Sequence, residues 1–233
     1  MSGPTRASVL VARLRSPVPG QPTSQQRILT ELRRVILAGD APPGTAIPLE
    51  QVATLFDVSV IPVRESLKTL VGEGLVDHEP RGGYRVARLT PGELREFYVI
   101  REALEAAALR AAVRRATSDD DAAATAAHEA LGRALRTEDF RTYHRDSRAF
   151  HMALLAPSGM GRLIHVYELA WNVTEPAQPM SHVDAAGRAE LHADHEAMLD
   201  AFCSRDAEAL VARSGAHYQR LEQAAETPGV DRY

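Results

Sequence analysis

Residues 59–85, SVIPVRESLKTLVGEGLVDHEPRGGYR, read as one short helix followed by a tight two-stranded hairpin. Ser59 is placed to cap the helix, Pro62 falls in its first turn, and Glu65 lies near the positive end of its dipole. Val63, Leu67, Leu70 and Val71 recur at helical spacing and give one apolar face, while Arg64, Ser66, Lys68 and Thr69 occupy the other. Gly72 and Gly74 end the helix, Leu75-Val76 open a strand, Pro80-Arg81-Gly82-Gly83 turn the chain, and Tyr84-Arg85-Val86 return it. A helix that opens on hydroxyl and cationic side chains, backed by a hairpin with arginine at its tip, suits a DNA major groove and the backbone beside it.

Upstream, Ile28, Leu32, Val35 and Ile36 predict an amphipathic helix over 25–38, stopped by Gly39-Asp40 and the prolines at 42 and 43. Pro48 opens a second short helix, LEQVATLFD. Three helices and a hairpin within residues 25–90 are the parts of a winged helix-turn-helix. Residues 1–24 carry Pro4, Pro17, Pro19 and Pro22 with three arginines and no acid, which predicts a disordered basic lead-in able to touch DNA phosphates.

Downstream the chain changes character. Residues 25–90 balance eight basic against eight acidic side chains, whereas the residues from 91 onward carry a net charge of −7, so DNA contact belongs to the first part. Thr90-Pro91-Gly92-Glu93 starts a helix reaching about Arg115, and Ser118, Asp139, Gly161, Ala186 and Asp206 start five more, ending near Glu226. Six helices joined by short loops predict an antiparallel all-α bundle over 91–226 with room for a ligand, followed by a tail, 227–233. The fold class is mainly α, in keeping with 5% aromatic content. Net charge −4 and a single lysine leave DNA contact to a few placed arginines. The lone Cys203, the lack of a long apolar run and the lack of a signal-peptide pattern predict a cytoplasmic, non-membrane protein.

The stretch PLEQVATLFDVSVIPVRESLKTLVGEGLVDHEPRGGYRVARLT, with DSRAFHMALLAPSG and LHADHEAMLDAFCSRDAEALVARSGAHYQRL, resembles the GntR family of bacterial regulators, in particular its FadR-like subfamily with an FCD effector domain of the six-helix, VanR type. The resemblance implies a homodimer, probing double-stranded DNA for a palindromic operator with Ser59, Val60, Arg64, Ser66, Lys68, Arg81, Gly82 and Gly83, and a bundle that takes a small organic acid. Two positions depart from the family: Val60 and Glu50 stand where it usually has arginine. At Val60 an apolar side chain can meet a thymine methyl. The bland alternative for Arg64 is an ion pair with Glu50 or Glu65.

The same resemblance marks His151, His195 and His217, on three different helices, as ligands for a divalent transition metal such as zinc or nickel. The family's aspartate four residues before the first histidine is replaced by Ser147. Asp146 lies one residue further back, turned by about 100° from the His151 stripe, and is the secondary candidate with His192 beside it. Arg101 resembles the family arginine that faces the cavity, its alternative being an i,i+4 pair with Glu105. Ser147, Tyr167 and Trp171 complete the expected effector site. The function expected is a repressor released by a small carboxylate. The competing readings are a metal-dependent enzyme, for which no nucleophile or H-E-x-x-H motif is present, and a regulator whose bundle is only structural.

Overall fold

A computed structural model describes residues 6–15, 24–177 and 183–225. Two structural units result, one ending at Leu89 and the other beginning at Thr90.

The first unit holds helices α1 (Arg6–Arg13), α2 (Ser24–Leu37), α3 (Leu49–Phe56) and α4 (Val60–Gly72), with strands β1 (Ala46–Ile47), β2 (Val76–Glu79) and β3 (Gly83–Val86). Strands β2 and β3 form the expected hairpin, with Val76 opposite Val86 and Glu79 opposite Gly83. The short β1 pairs on the other side of β3, so the sheet order is β1-β3-β2, all antiparallel. A two-residue strand carries no readable alternation, which is why the sequence did not announce it. The stripe Ile28, Leu32, Val35 and Ile36 of α2 packs with Val52 and Phe56 of α3, Val63, Leu67 and Leu70 of α4, and Val86 of the hairpin. Gly74, at φ +73°, makes the turn out of α4 in a conformation that favours glycine, and Arg33 clamps Glu73 beside it through bonds of 2.6 and 3.0 Å.

One expectation is corrected here. Residues 6–13 of the supposed disordered lead-in form α1, because Leu10 and Leu14, four apart, are buried in the same core. Residues 1–5 and 16–23 lie outside the described residues.

The second unit is an antiparallel all-α bundle of α5 (Pro91–Val113), α6 (Ser118–Arg136), α7 (Phe140–Leu155), α8 (Gly161–Thr174), α9 (Ala185–Cys203) and α10 (Ala207–Ala225). Its starts are set by side-chain caps. Thr90 and Glu93 form a reciprocal capping box on α5, and Asp139, Asp184 and Asp206 accept backbone N–H bonds at the heads of α7, α9 and α10. The α6 cap is Thr117 with Asp120, one residue before the expected Ser118. Leu109, Phe150, Leu154, Tyr167, Trp171, Met198, Phe202 and Leu210 make the core, toward which α5, α7, α9 and α10 also turn polar side chains. No helix among the described residues is long and apolar enough to cross a membrane.

Candidate functional site

In the first unit, α4 and the β2–β3 turn present the side chains expected to meet DNA. Ser59 holds the cap position in an extended conformation, yet its hydroxyl makes no cap bond and is left at the surface. Arg64 is exposed. Its anticipated acidic partner Glu65 is taken by Lys68 at 2.9 Å, and among the described residues no carboxylate pairs with Arg64. Arg81, at φ +69°, forms the exposed tip of the turn with Gly82 and Gly83. Any side chain at Gly82 would collide with Glu79, since a Cβ there would lie 2.8 Å from the Glu79 Cβ.

Two members of the expected set are placed otherwise. Ser66 is fully buried and bonds the backbone carbonyls of Pro62 and Gln25 at 2.8 and 3.0 Å, so it ties α4 to α2 instead of facing DNA. At three residues past Val63 it falls on the apolar stripe, which the hydroxyl disguised. Ser66→Ala is therefore expected to lower stability by about 1 kcal/mol in thermal unfolding while leaving the salt dependence of DNA binding unchanged. Val60 is half-buried against the core, and the side chain that points outward in this turn is its neighbour Ile61, 70% exposed.

In the second unit, His151 from α7, His195 from α9 and His217 from α10 converge at the bundle centre, each almost wholly buried. Their ring nitrogens lie within 4.8 Å of one another, and the Nε2 atoms of His151 and His195 are 3.2 Å apart. Glu105 of α5 stands behind His151 and accepts its Nδ1–H at 2.8 Å. The same carboxylate accepts from the Tyr167 and Tyr218 hydroxyls, both at 2.6 Å, and from Ser214 at 3.3 Å. Burial alone would raise the Glu105 pKa, but His151 and the two tyrosines outweigh it and hold the carboxyl at about 2.

This arrangement dictates the chemistry of the ring nitrogens. A carboxylate on His151 Nδ1 fixes the proton there and leaves Nε2 as a lone pair facing the other two rings. Burial, then the neighbouring His217 and His151, push the His195 pKa well below its ordinary value, and burial also lowers that of His217 against the pull of Asp194. Asp194 itself is held by Arg220 at 2.9 Å and reaches to 3.6 Å from His217 Nδ1. Three buried imidazoles with converging nitrogens, two of them backed by carboxylates, are a donor set that fits a divalent transition metal.

Beside the histidines lies a cavity of about 350 Å³ including its mouth, lined by Arg101, Tyr143, His144, Ser147, Trp171, His195 and His217 among others. Arg101 is buried with its guanidinium carbon 3.4 Å from the Trp171 ring centre, and its terminal nitrogen reaches Thr174 at 3.5 Å. Arg101 and Glu105 do not form the i,i+4 pair weighed from sequence, since the Glu105 oxygens are committed to His151, Tyr167, Tyr218 and Ser214. The Arg101 Nε, Trp171 Nε1 and Tyr143 hydroxyl find no hydrogen-bond partner among the described residues. These donors lie on the cavity wall.

Other expectations shift. Tyr167 is not on the wall, because its hydroxyl serves Glu105 behind it. Asp146 turns away and accepts from Arg145 at 2.9 Å, as one step of helical rotation requires. His192 stacks on His128 with ring centres 4.8 Å apart, away from the trio. His182 lies outside the described residues. Tyr143 and Asp194 were not singled out from sequence, and Glu105 was named only as a possible i,i+4 partner of Arg101. Only Glu105 carried a signal, the one-turn spacing from Arg101.

Comparison with known proteins agrees with both units. Residues 24–86 match the family of bacterial regulatory proteins called gntR, and residues 96–220 match the FCD domain. An uncharacterized HTH-type transcriptional regulator in an unstable DNA locus of Streptomyces ambofaciens is 30% identical over 79% of this chain and 77% of its own length. The HTH-type transcriptional repressor RspR of Escherichia coli is 37% identical over 40% of this chain and 41% of its own. The solved structure of E. coli McbR/YncC has the same fold, with a TM-score of 0.73 at 23% identity, covering 85% of this chain and 95% of that one.

Proposed function

The chain belongs to the gntR family of bacterial regulatory proteins and carries an FCD domain, so it is a DNA-binding transcriptional regulator and not an enzyme, and from that footing we propose a dimeric repressor that leaves a palindromic operator when a small organic acid enters the helical bundle. The observation that carries this reading is the sharing of one cavity wall by Arg101 and two of the three clustered histidines, His195 and His217.

His151, His195 and His217 would hold a divalent transition metal, zinc or nickel, which supplies an acidic position for a carboxylate oxygen. Arg101 offers the other half of a carboxylate site, because a guanidinium can grip both oxygens in two parallel bonds. Trp171 Nε1–H and the Tyr143 hydroxyl remain to bind a further oxygen of the same ligand. Ser147, on the cavity wall where the family has aspartate, leaves the protein's own donor set at three. The cavity is narrow, so only a small acid would fit beside the histidines. Release of DNA then needs nothing more than tighter acid binding by a dimer whose reading heads are mis-spaced for the operator.

The test combines metal analysis with DNA binding. The purified chain is expected to carry a stoichiometric transition metal, and His151→Ala to lose it. Gel-shift of DNA flanking its own coding region is expected to be relieved by one member of a panel of small carboxylates, and Arg101→Ala to abolish that relief without abolishing the shift. A metal-free protein whose DNA binding ignores every acid refutes the reading.

The 3.2 Å bond between His151 and His195 favours one alternative, a histidine cluster that only stabilises the bundle. In that case His151→Ala lowers the melting temperature equally with and without chelator.

A further inference from the structure

We infer that Ile61 reads a thymine methyl in the operator, making it a specificity-determining residue that works beside Arg64. Among the described residues it is the most exposed large hydrophobic side chain, 70% accessible in the first turn of α4. Its neighbours divide cleanly. Val60 is half-buried against the core and Val63 is completely buried, whereas Ile61, Arg64 and Lys68, spaced three and then four apart, share the outward face. Ile61 therefore adds little to the packing of its own unit and stays largely in water until something covers that face.

The family supplies the surface that does so. In a helix-turn-helix the N-terminal residues of the second helix meet base edges in the major groove. The one apolar feature offered there is the thymine C5-methyl group. Lys68 pairs with Glu65 at the surface, while Ile61 and Arg64, nearer the start of the helix where base edges are met, carry no such pair among the described residues. Side chains three apart on a helix lie about 5–6 Å from each other, against about 3.4 Å between stacked base pairs. The thymine should then fall within two base pairs of the guanine that Arg64 reads. Val60, the apolar residue that occupies the family's arginine position, is half-buried against the core and offers less of its side chain to a groove than Ile61 does.

The experiment uses the full chain. DNA bound from a random library is sequenced for the wild type and for Ile61→Ala, and each thymine of the selected site is then replaced singly by deoxyuridine, which deletes only the methyl. One thymine per half-site is expected at which this change weakens wild-type binding about fourfold, the effect of withdrawing one methyl-sized group from apolar contact. Ile61→Ala should bind thymine and uracil equally there and select either pyrimidine, and with a side chain so exposed its melting temperature should match the wild type. A selected site indifferent to every such change, or an Ala variant as sensitive as the wild type, overturns the assignment alone. A chain that enriches no sequence overturns base reading by α4 and this assignment with it.

Discussion

Glu105→Gln is expected to lower transition-metal affinity 10- to 100-fold and to cost about 3 kcal/mol of stability, more than any substitution of a surface charge. The carboxylate is wholly buried and accepts from His151, Tyr167, Tyr218 and Ser214 at once. An amide of the same shape can still accept from His151 on one side, but its NH₂ then faces two tyrosine donors. The pH dependence gives a second handle. The folded-state pKa, about 2, lies below the ordinary value of 4.5, so the stabilising contribution is fully present above the unfolded value and is lost as pH falls from about 4.5 through 2. Unfolding curves collected between pH 5 and 3 should lose this acid slope in the Gln variant. Metal content by mass spectrometry and parallel melts with chelator separate the two effects. A variant that retains both metal and stability would show that His151 orients without Glu105.

Arg64→Ala is expected to weaken operator binding at least 30-fold in a dimer while leaving non-specific DNA binding nearly unchanged. The guanidinium is exposed, lies on the outward face of α4 and is free of carboxylates among the described residues, so none of its charge is spent within the fold. One bidentate arginine–guanine contact is worth about 1–3 kcal/mol, and a palindrome uses it twice. Affinity measured across a salt series decides the matter. Equal loss on specific and non-specific DNA, with a shallower salt slope, would make Arg64 a phosphate contact and no reader.

Much of the architecture was legible because its signals are local. The helix starts in the bundle are announced by side chains that cap them within three residues, as at Thr90 and Asp139, and α2 declares its buried stripe through Ile28, Leu32, Val35 and Ile36. Where the reading failed, the deciding partner was remote in sequence. Ser66 looked like a groove-facing hydroxyl until Gln25, 41 residues away, took its bond. The basic lead-in looked disordered because composition outvoted two leucines that the core of the first unit buries.

The candidate site divides the same way. The sequence alone was enough for the family likeness, for the positions of three histidines on three helices, and for the absence of an aspartate at Ser147. Residue type and spacing encode those properties directly. Only the tertiary structure decided that Glu105 serves His151 and not Arg101, that Tyr167 stands behind the cavity while Tyr143 lines it, and that Ile61 faces outward where Val60 turns in. Each of these is a choice of neighbour among helices packed from distant parts of the chain. Helical periodicity names a face, but what that face meets depends on how its helix is rotated against the others.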